Sequence, residues 1–326
     1  MAGKYLVPSA NGVTVLDLRT ALLEYPELVH PHLGSLVPLD SADPLDGTFI
    51  HVAAGVAVPD PLQTFFGREA ERMAATSRTL IVAEPESSVA YIEGCAAPIY
   101  TRHTDRRSTV EIVVGAGATV RHATIQNWST NVRHTVLKHA TVGDDGKVEW
   151  LDAALGSSET TTRLVTRLRG KAAAASVISM LSAGSGQRHD AEVLIAHEGE
   201  ETSSNTLSKL LGRSDGSVRS RHVLQMEATS SCATTTSEAL CIDGGPEFHQ
   251  SCEKSGDGAK QIVAFTTERH VEDLHLEYLM RRGLSRAEAV GMVVTGHLNQ
   301  IAGKLPLEYA VEWDRAIQLE LEQVIG

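Results

Sequence analysis

Cys232, Glu238, Cys241 and Cys252 lie within one short stretch, with His249 among them and Glu227 just before. Iron in clusters prefers thiolate, and a carboxylate or imidazole ligand makes an iron position labile. This set of side chains can therefore hold an iron–sulfur unit and also let it go. We take Cys232, Glu238, Cys241 and Cys252 as the candidate metal ligands. Cys232 follows Ser230 and Ser231, and Cys252 sits in Gln250-Ser-Cys-Glu-Lys254; both surroundings are polar enough for a ligand. Cys241, between Leu240 and Ile242, and Cys95 equally fit the ordinary place of a free cysteine, which is that of a small buried hydrophobe. The spacing of Cys232, Cys241 and Cys252 contains no Cys-x-x-Cys pair, so a zinc ribbon is excluded. On a regular strand Glu238 and Cys241 point to opposite faces, and one of them leaves the site unless a bulge intervenes. Histidines such as His122, His134 and His139 lie in β-rich runs and read as hydrogen-bonded structural residues. Trp128 and Trp150 read as packing anchors. Gly115-Ala-Gly-Ala118 lacks the Gly-Lys-Ser/Thr that grips phosphate and magnesium, so the chain is not expected to bind ATP.

The elements that must position these residues change character along the chain. Val15 to Leu23 is amphipathic, Pro26 to Pro44 reads as loop, and Asp60 to Ala75 reads as a helix. From Arg78 onward the runs are short and rich in Val, Ile and Thr, as in Thr79–Ala83, Val110–Val114 and Val132–Leu137, which marks strands. Glycine turn signals recur at Gly115, Gly143, Gly156, Gly170, Gly184, Gly199 and Gly212, with gaps mostly near a dozen residues. A sandwich, a barrel or a parallel β-helix each has this rhythm. The low aromatic content, 4%, with many Ala, Val, Thr and Ser, suits the narrow interior of a solenoid. From Val271 the pattern is helical. Ser285-Arg-Ala-Glu288 has the serine and glutamate of a capping box, and Pro306 opens a last amphipathic run. Such helices can cover an open end of a solenoid or offer a docking face. The expected division is a mixed, partly helical region over 1–75, a β-rich core over 76–270 and a helical domain over 271–326.

With 326 residues, 42% of them hydrophobic, the chain can bury a core without a metal or disulfide staple. Its net charge of -12 offers no field for nucleic acid or an acidic membrane surface. There is no long apolar run and no signal-peptide pattern at MAGKYLVPSANG, so a cytoplasmic location is expected, with four reduced cysteines.

Several ordered blocks resemble the SufB/SufD family. Arg78-Thr-Leu-Ile-Val-Ala83 followed by Tyr91-Ile-Glu-Gly-Cys-Ala-Ala-Pro98, and Thr124-Ile-Gln-Asn-Trp128, are SufB-like. So are Leu276-Glu-Tyr278 with Arg282-Gly-Leu284, Val293-Val-Thr-Gly296, and Leu305-Pro-Leu-Glu-Tyr-Ala-Val-Glu312. The resemblance implies a right-handed parallel β-helix between helical terminal parts. It also implies a scaffold without a catalytic site of its own, which builds or holds a transient iron–sulfur cluster with a SufC-type ABC ATPase docked on the C-terminal helices. The short length is similar to that of members acting as homodimers; a heterodimer with a paralogue is the other arrangement. Two cysteines and a His-Glu pair of the family are not matched. The cysteine inside the helix falls in Ala140-Thr-Val-Gly143. The later one falls at Ser237, beside Glu238 and four residues before Cys241, and its distal His-Glu pair is lost at Val263–Thr267. These departures keep a SufD-like, non-ligating subunit open as the alternative. A glycan-active solenoid enzyme would need paired carboxylates in an aromatic cleft. The runs at Asp144-Asp145 and Glu198–Glu201 instead sit at turn signals.

Overall fold

Val, Ile and Thr at alternate positions favour strands whose two faces differ, and a strand with one apolar face must stack that face against another sheet. Seventeen strands do so in a computed structural model that describes residues 12–39, 45–66, 76–96, 103–271, 273–299, 314 and 317–318. A nine-stranded sheet contains β1 (Val13–Asp17), β2 (Gly47–Val52), β4 (Thr76–Ala83), β6 (Thr104–Val114), β8 (Val132–Val142), β10 (Glu159–Leu168), β12 (Arg188–His197), β14 (Ser217–Met226) and β16 (Glu247–Ser255) in that order. An eight-stranded sheet runs through β3 (Leu62–Phe66), β5 (Ser88–Ala96), β7 (Thr119–Trp128), β9 (Lys147–Gly156), β11 (Ala174–Ala183), β13 (Ser203–Ser214), β15 (Ser231–Gly244) and β17 (Ala259–His270). From β2 onward successive strands alternate between the sheets. Apart from the antiparallel β1–β2 pair, each strand is parallel to the one two places on, as in β10–β12 and β13–β15. This is a parallel β-helix of two faces. In-register residues one turn apart, such as Ser179 and Ser208, are separated by 29 residues.

The coil begins at Gly47, before residue 76, because β2 and β3 already belong to the two sheets. The helix expected over Asp60–Ala75 is replaced at Leu62–Phe66 by β3, where Thr64, Phe65 and Phe66 favour a strand in register with Glu93, Gly94 and Cys95. Residues 67–75 lie outside the described residues. At the N-terminal end α1 (Leu18–Glu24) is capped by Asp17, and α2 (Pro26–Val29) follows. Together they cover Phe49, Leu80 and Val82 on the outer face of the nine-stranded sheet. The helix interior is filled by Ile81, Ile112, Val120, Trp150, Val177 and Ile195, among others.

At the other terminus α3 (Asp273–Met280) and α4 (Arg286–Leu298) form, the latter with the capping box read from Ser285 and Glu288. They do not close the end of the solenoid. Leu276, Ala289, Val290, Val294 and Leu298 pack on the outer face of the eight-stranded sheet, against Ile125, Ala153, Met180, Leu211, Leu240 and Ile242. Consecutive apolar residues such as Leu240, Cys241 and Ile242 explain this: a strand apolar on both faces needs a cover outside as well as a core inside. The run after Pro306 lies outside the described residues, apart from helical Asp314, Ile317 and Gln318. The final turn, β16 and β17, is largely exposed on both faces.

Candidate functional site

Alternation along β15 sorts the candidate ligands. Ser231, Ala233, Thr235, Ser237 and Ala239 are buried toward the interior, while Cys232, Thr234, Thr236 and Glu238 are partly exposed on the outer face. Cys241 follows the inner set, between Leu240 and Ile242, which face outward. On β16 the parity is fixed by Phe248, which packs with Ala239, and by Gln250, whose side-chain oxygen accepts from the Ser237 hydroxyl at 2.7 Å across the interior. Cys252, two residues on, shares that parity. It stacks in register on His222 and lies beside Thr235.

The structure does not bring the four predicted ligands together. Cys241 and Cys252 share the inner side of the last turns. Cys252 stands opposite Thr235, however, and Cys241 lies six positions farther along β15, about 20 Å away at strand rise. Cys232 and Glu238 face outward on the opposite side of the strand. Glu238 is paired with Lys209, its in-register neighbour on β13, beneath α4. The pairing with Lys209 holds its carboxyl below the usual range against the opposing effect of burial, the largest single influence.

Two residues not singled out from the sequence lie beside Cys241 instead. On β17, His270 is in register with Cys241 and Glu268 with Ala239, so both share the parity of Cys241. The Glu268 carboxylate is 3.4 Å from His270 Nε2, and both side chains are about half exposed at the open end. Cys241 is 4% exposed, with Sγ 3.8 Å from the Asp243 carbonyl oxygen. Burial, then the negative charges of Asp243 and Glu268, push its thiol up. Such a thiol is inert until a cation arrives, and binding then releases its proton. Among the described residues no three His, Cys, Asp or Glu side chains converge closely enough to hold a metal ion.

A second polar feature runs inside the coil. Glu93, Thr124, Asp152 and Ser179 lie in one register row of the eight-stranded sheet, and Ser208 and Ser237 continue it to the last turns. Lys138, from the facing sheet, is 2% exposed and donates to Thr124 Oγ1 at 2.8 Å. It is ion-paired with Asp152 and lies over the Trp150 ring at 5.4 Å. Burial pushes the Glu93 carboxyl up and the His122 imidazole well down, so both favour their neutral forms. Farther along, Ser179 and Ser208 are 2.8 Å apart, and His222 Nε2 is 3.0 Å from both Ser208 and Ser220. An apolar core of the same shape would be at least as stable, so this row is not a packing requirement.

Residues 65–297 match the family model described as "SUF system FeS cluster assembly, SufBD core domain". The chain belongs to the SufBD family. It is 33% identical to the iron–sulfur cluster assembly protein SufB of Bacillus subtilis, over 97% of this chain and 70% of that protein. It is 35% identical, with the same coverage, to iron–sulfur cluster assembly SufBD family proteins of Staphylococcus haemolyticus and Staphylococcus aureus. The SufBD core model spans β4 to β17 and α3, and nearly all of α4. It thus takes in Cys241, Glu268, His270 and Cys252. No helix among the described residues is long and apolar enough to cross a membrane.

Proposed function

We propose that this SufBD chain is a cytoplasmic scaffold of a Suf-type complex that receives iron and sulfide as cargo at the open end of its β-helix. Cys241 is the central ligand, with Glu268 and His270 as labile ligands, and Cys252 is a second thiol farther along the same inner wall. The observation that carries this reading is the register of β15 and β17, which sets His270 beside Cys241 at an end that no helix among the described residues covers. Thiolate with carboxylate and imidazole is a donor set that binds iron and releases it again. Because the described residues of one chain do not converge on a metal, the reading includes a homodimer. β16 and β17 are exposed edge strands of their sheets, and a two-fold pairing there brings two copies of the Cys241 corner toward one interface. A SufC-type ATPase docks on the outer side of α3 and α4, where Tyr278, Met280 and Met292 are exposed, and supplies the ATP hydrolysis that this chain does not.

Anaerobic reconstitution with iron and sulfide tests the proposal, following visible absorption and iron per dimer. Cys241→Ser should abolish the cluster, Glu268→Gln and His270→Ala should make it short-lived, and Cys232→Ala should leave it intact. Wild-type protein that forms no cluster, with or without the ATPase, refutes the ligating role. The SufD-like reading, a subunit that supports the ATPase and a separate scaffold, would then account for the lack of a converging metal-ligand group among the described residues.

A further inference from the structure

Outside the site, the most unusual group of side chains lies under α4. Its apolar residues Val290, Val294 and Leu298 are buried against Leu211, Leu240 and Ile242. Within that apolar interface lie the ammonium of Lys209, whose side chain is 1% exposed, and the Glu238 carboxylate, 24% exposed. His297, in the last turn of α4, faces both, and its Nε2 is buried without a partner among the described residues. Burial, followed by the Lys209 charge, pushes this imidazole down to about 4, so it is neutral at physiological pH and does not add to the ion pair.

These groups oppose the apolar contacts around them. Lifting α4 exposes Val290, Val294 and Leu298 and breaks the bond of His297 to the Leu210 backbone, which is unfavourable, but it returns water to Lys209, Glu238 and the unpartnered His297 Nε2, which is favourable. An interface of the same area without the charges would open less often. The joint at the other end of α4 is also permissive: Gly283, between α3 and α4, has φ +100° and nothing within 4 Å of where a Cβ would stand. Leu240 and Ile242 flank Cys241 on β15, so the strand that α4 covers is the one that carries the thiol on its inner side.

We propose that α4 is a reversible cover on the outer face of the eight-stranded sheet, and that Lys209, Glu238 and His297 form a release element that keeps it openable. The cover is a property of the fold and does not depend on whether the chain ligates a cluster.

Hydrogen exchange of the α4 amides in the full chain tests this. In wild type these amides should exchange by local opening, faster than those of β11 and β13. The Lys209→Met/Glu238→Leu variant removes both charges, and exchange within α4 should slow at least about tenfold while β11 and β13 are unchanged. Glu238→Gln, at a position open to water, should fold and leave Lys209 buried without its carboxylate; α4 exchange should then quicken by about tenfold or more. The proposal is overturned if α4 exchanges only together with the core strands, or if the double variant exchanges as fast as wild type or faster. If the double variant does not fold, Glu238→Gln decides alone, and exchange within about twofold of wild type overturns the proposal.

Discussion

Glu111 is fully buried beneath the segment that follows α2, and its carboxylate holds that strap to the outer face of the nine-stranded sheet. It accepts from the backbone N–H groups of Gly34 at 3.3 Å, Leu36 at 3.1 Å and Val37 at 3.0 Å. It is also ion-paired with Arg78, which is 2% exposed and donates to the Val37 carbonyl at 3.0 Å. The Leu36 carbonyl has a further partner in His139 Nδ1 at 2.8 Å. Glu111→Gln keeps the shape but replaces a charged acceptor by an amide whose NH2 faces donors. Breaking one side of a buried ion pair costs about 3–5 kcal/mol, and each backbone bond to a charged group contributes about 1.5–3 kcal/mol. The loss is bounded by the docking free energy of the strap, because a released strap lets water reach Arg78. The expected result is therefore local. The amides of Gly34, Leu36 and Val37 should lose about a hundredfold in hydrogen-exchange protection, about 2.7 kcal/mol, while the β8 to β14 amides keep theirs. In Arg78→Met/Glu111→Leu both charges go, so urea stability should recover to within about 1–2 kcal/mol of wild type. The strap should stay released, because three N–H groups have lost their acceptor. Glu111→Gln with these three amides protected within about threefold of wild type would refute the reasoning.

Thiol reactivity and acid stability follow from the same burial. At pH 7, of Cys232, Cys241 and Cys252, exposed Cys252 should be alkylated first and buried Cys241 last, burial pushing both of these thiols up so that access decides; equal rates in the folded chain would contradict the placement of Cys241. Burial lowers His134 to about 3 and His189, His197, His222 and His297 to about 4 in the folded chain, against 6.5 in the unfolded one. Between those values the unfolded state binds more protons. Stability should therefore be complete above about pH 6.5 and fall as the pH drops toward 4, each histidine adding a slope of up to about 1.4 kcal/mol per pH unit. Urea midpoints that stay level from pH 7 to pH 5 would show that these rings are not the neutral, buried groups described.

Much of the architecture is legible because it rests on local chemistry. Thr79–Ala83, Val110–Val114 and Val132–Leu137 are strands, Gly115, Gly143 and Gly170 mark stacked turns, and Ser285 starts α4, each as the residue types require. At Gly170 the turn needs the glycine itself, since a Cβ would fall 2.0 Å from the Asp144 backbone nitrogen one turn below. β3 is misread because Leu62–Phe66 is too short to display a period, and its strand state comes from pairing with β5, a tertiary contact. The position of the C-terminal helices is not legible either. An amphipathic helix declares that it needs an apolar surface without declaring which one. The answer lies in strands such as Leu240–Ile242, which are apolar on both faces.

Strand geometry divides the four candidate ligands. Proximity along the chain groups Cys232, Glu238, Cys241 and Cys252, but a strand turns successive residues to opposite sides, and a β-helix brings together residues one turn apart. The distance that matters is the coil's period. Ser179 and Ser208 are one such pair, Lys209 and Glu238 another, each 29 residues apart, and the same step from Cys241 reaches His270. The step is not constant, however: Arg121 and Glu149 are 28 apart, and Ser77 and Ser108 are 31 apart, because the turns differ in length. A slip of one residue moves a side chain from the interior to the outer face. Sequence spacing alone therefore cannot assign His270 to Cys241. The strand ladder can, and it removes Glu238 from the thiol's side by the same rule that brings His270 to it.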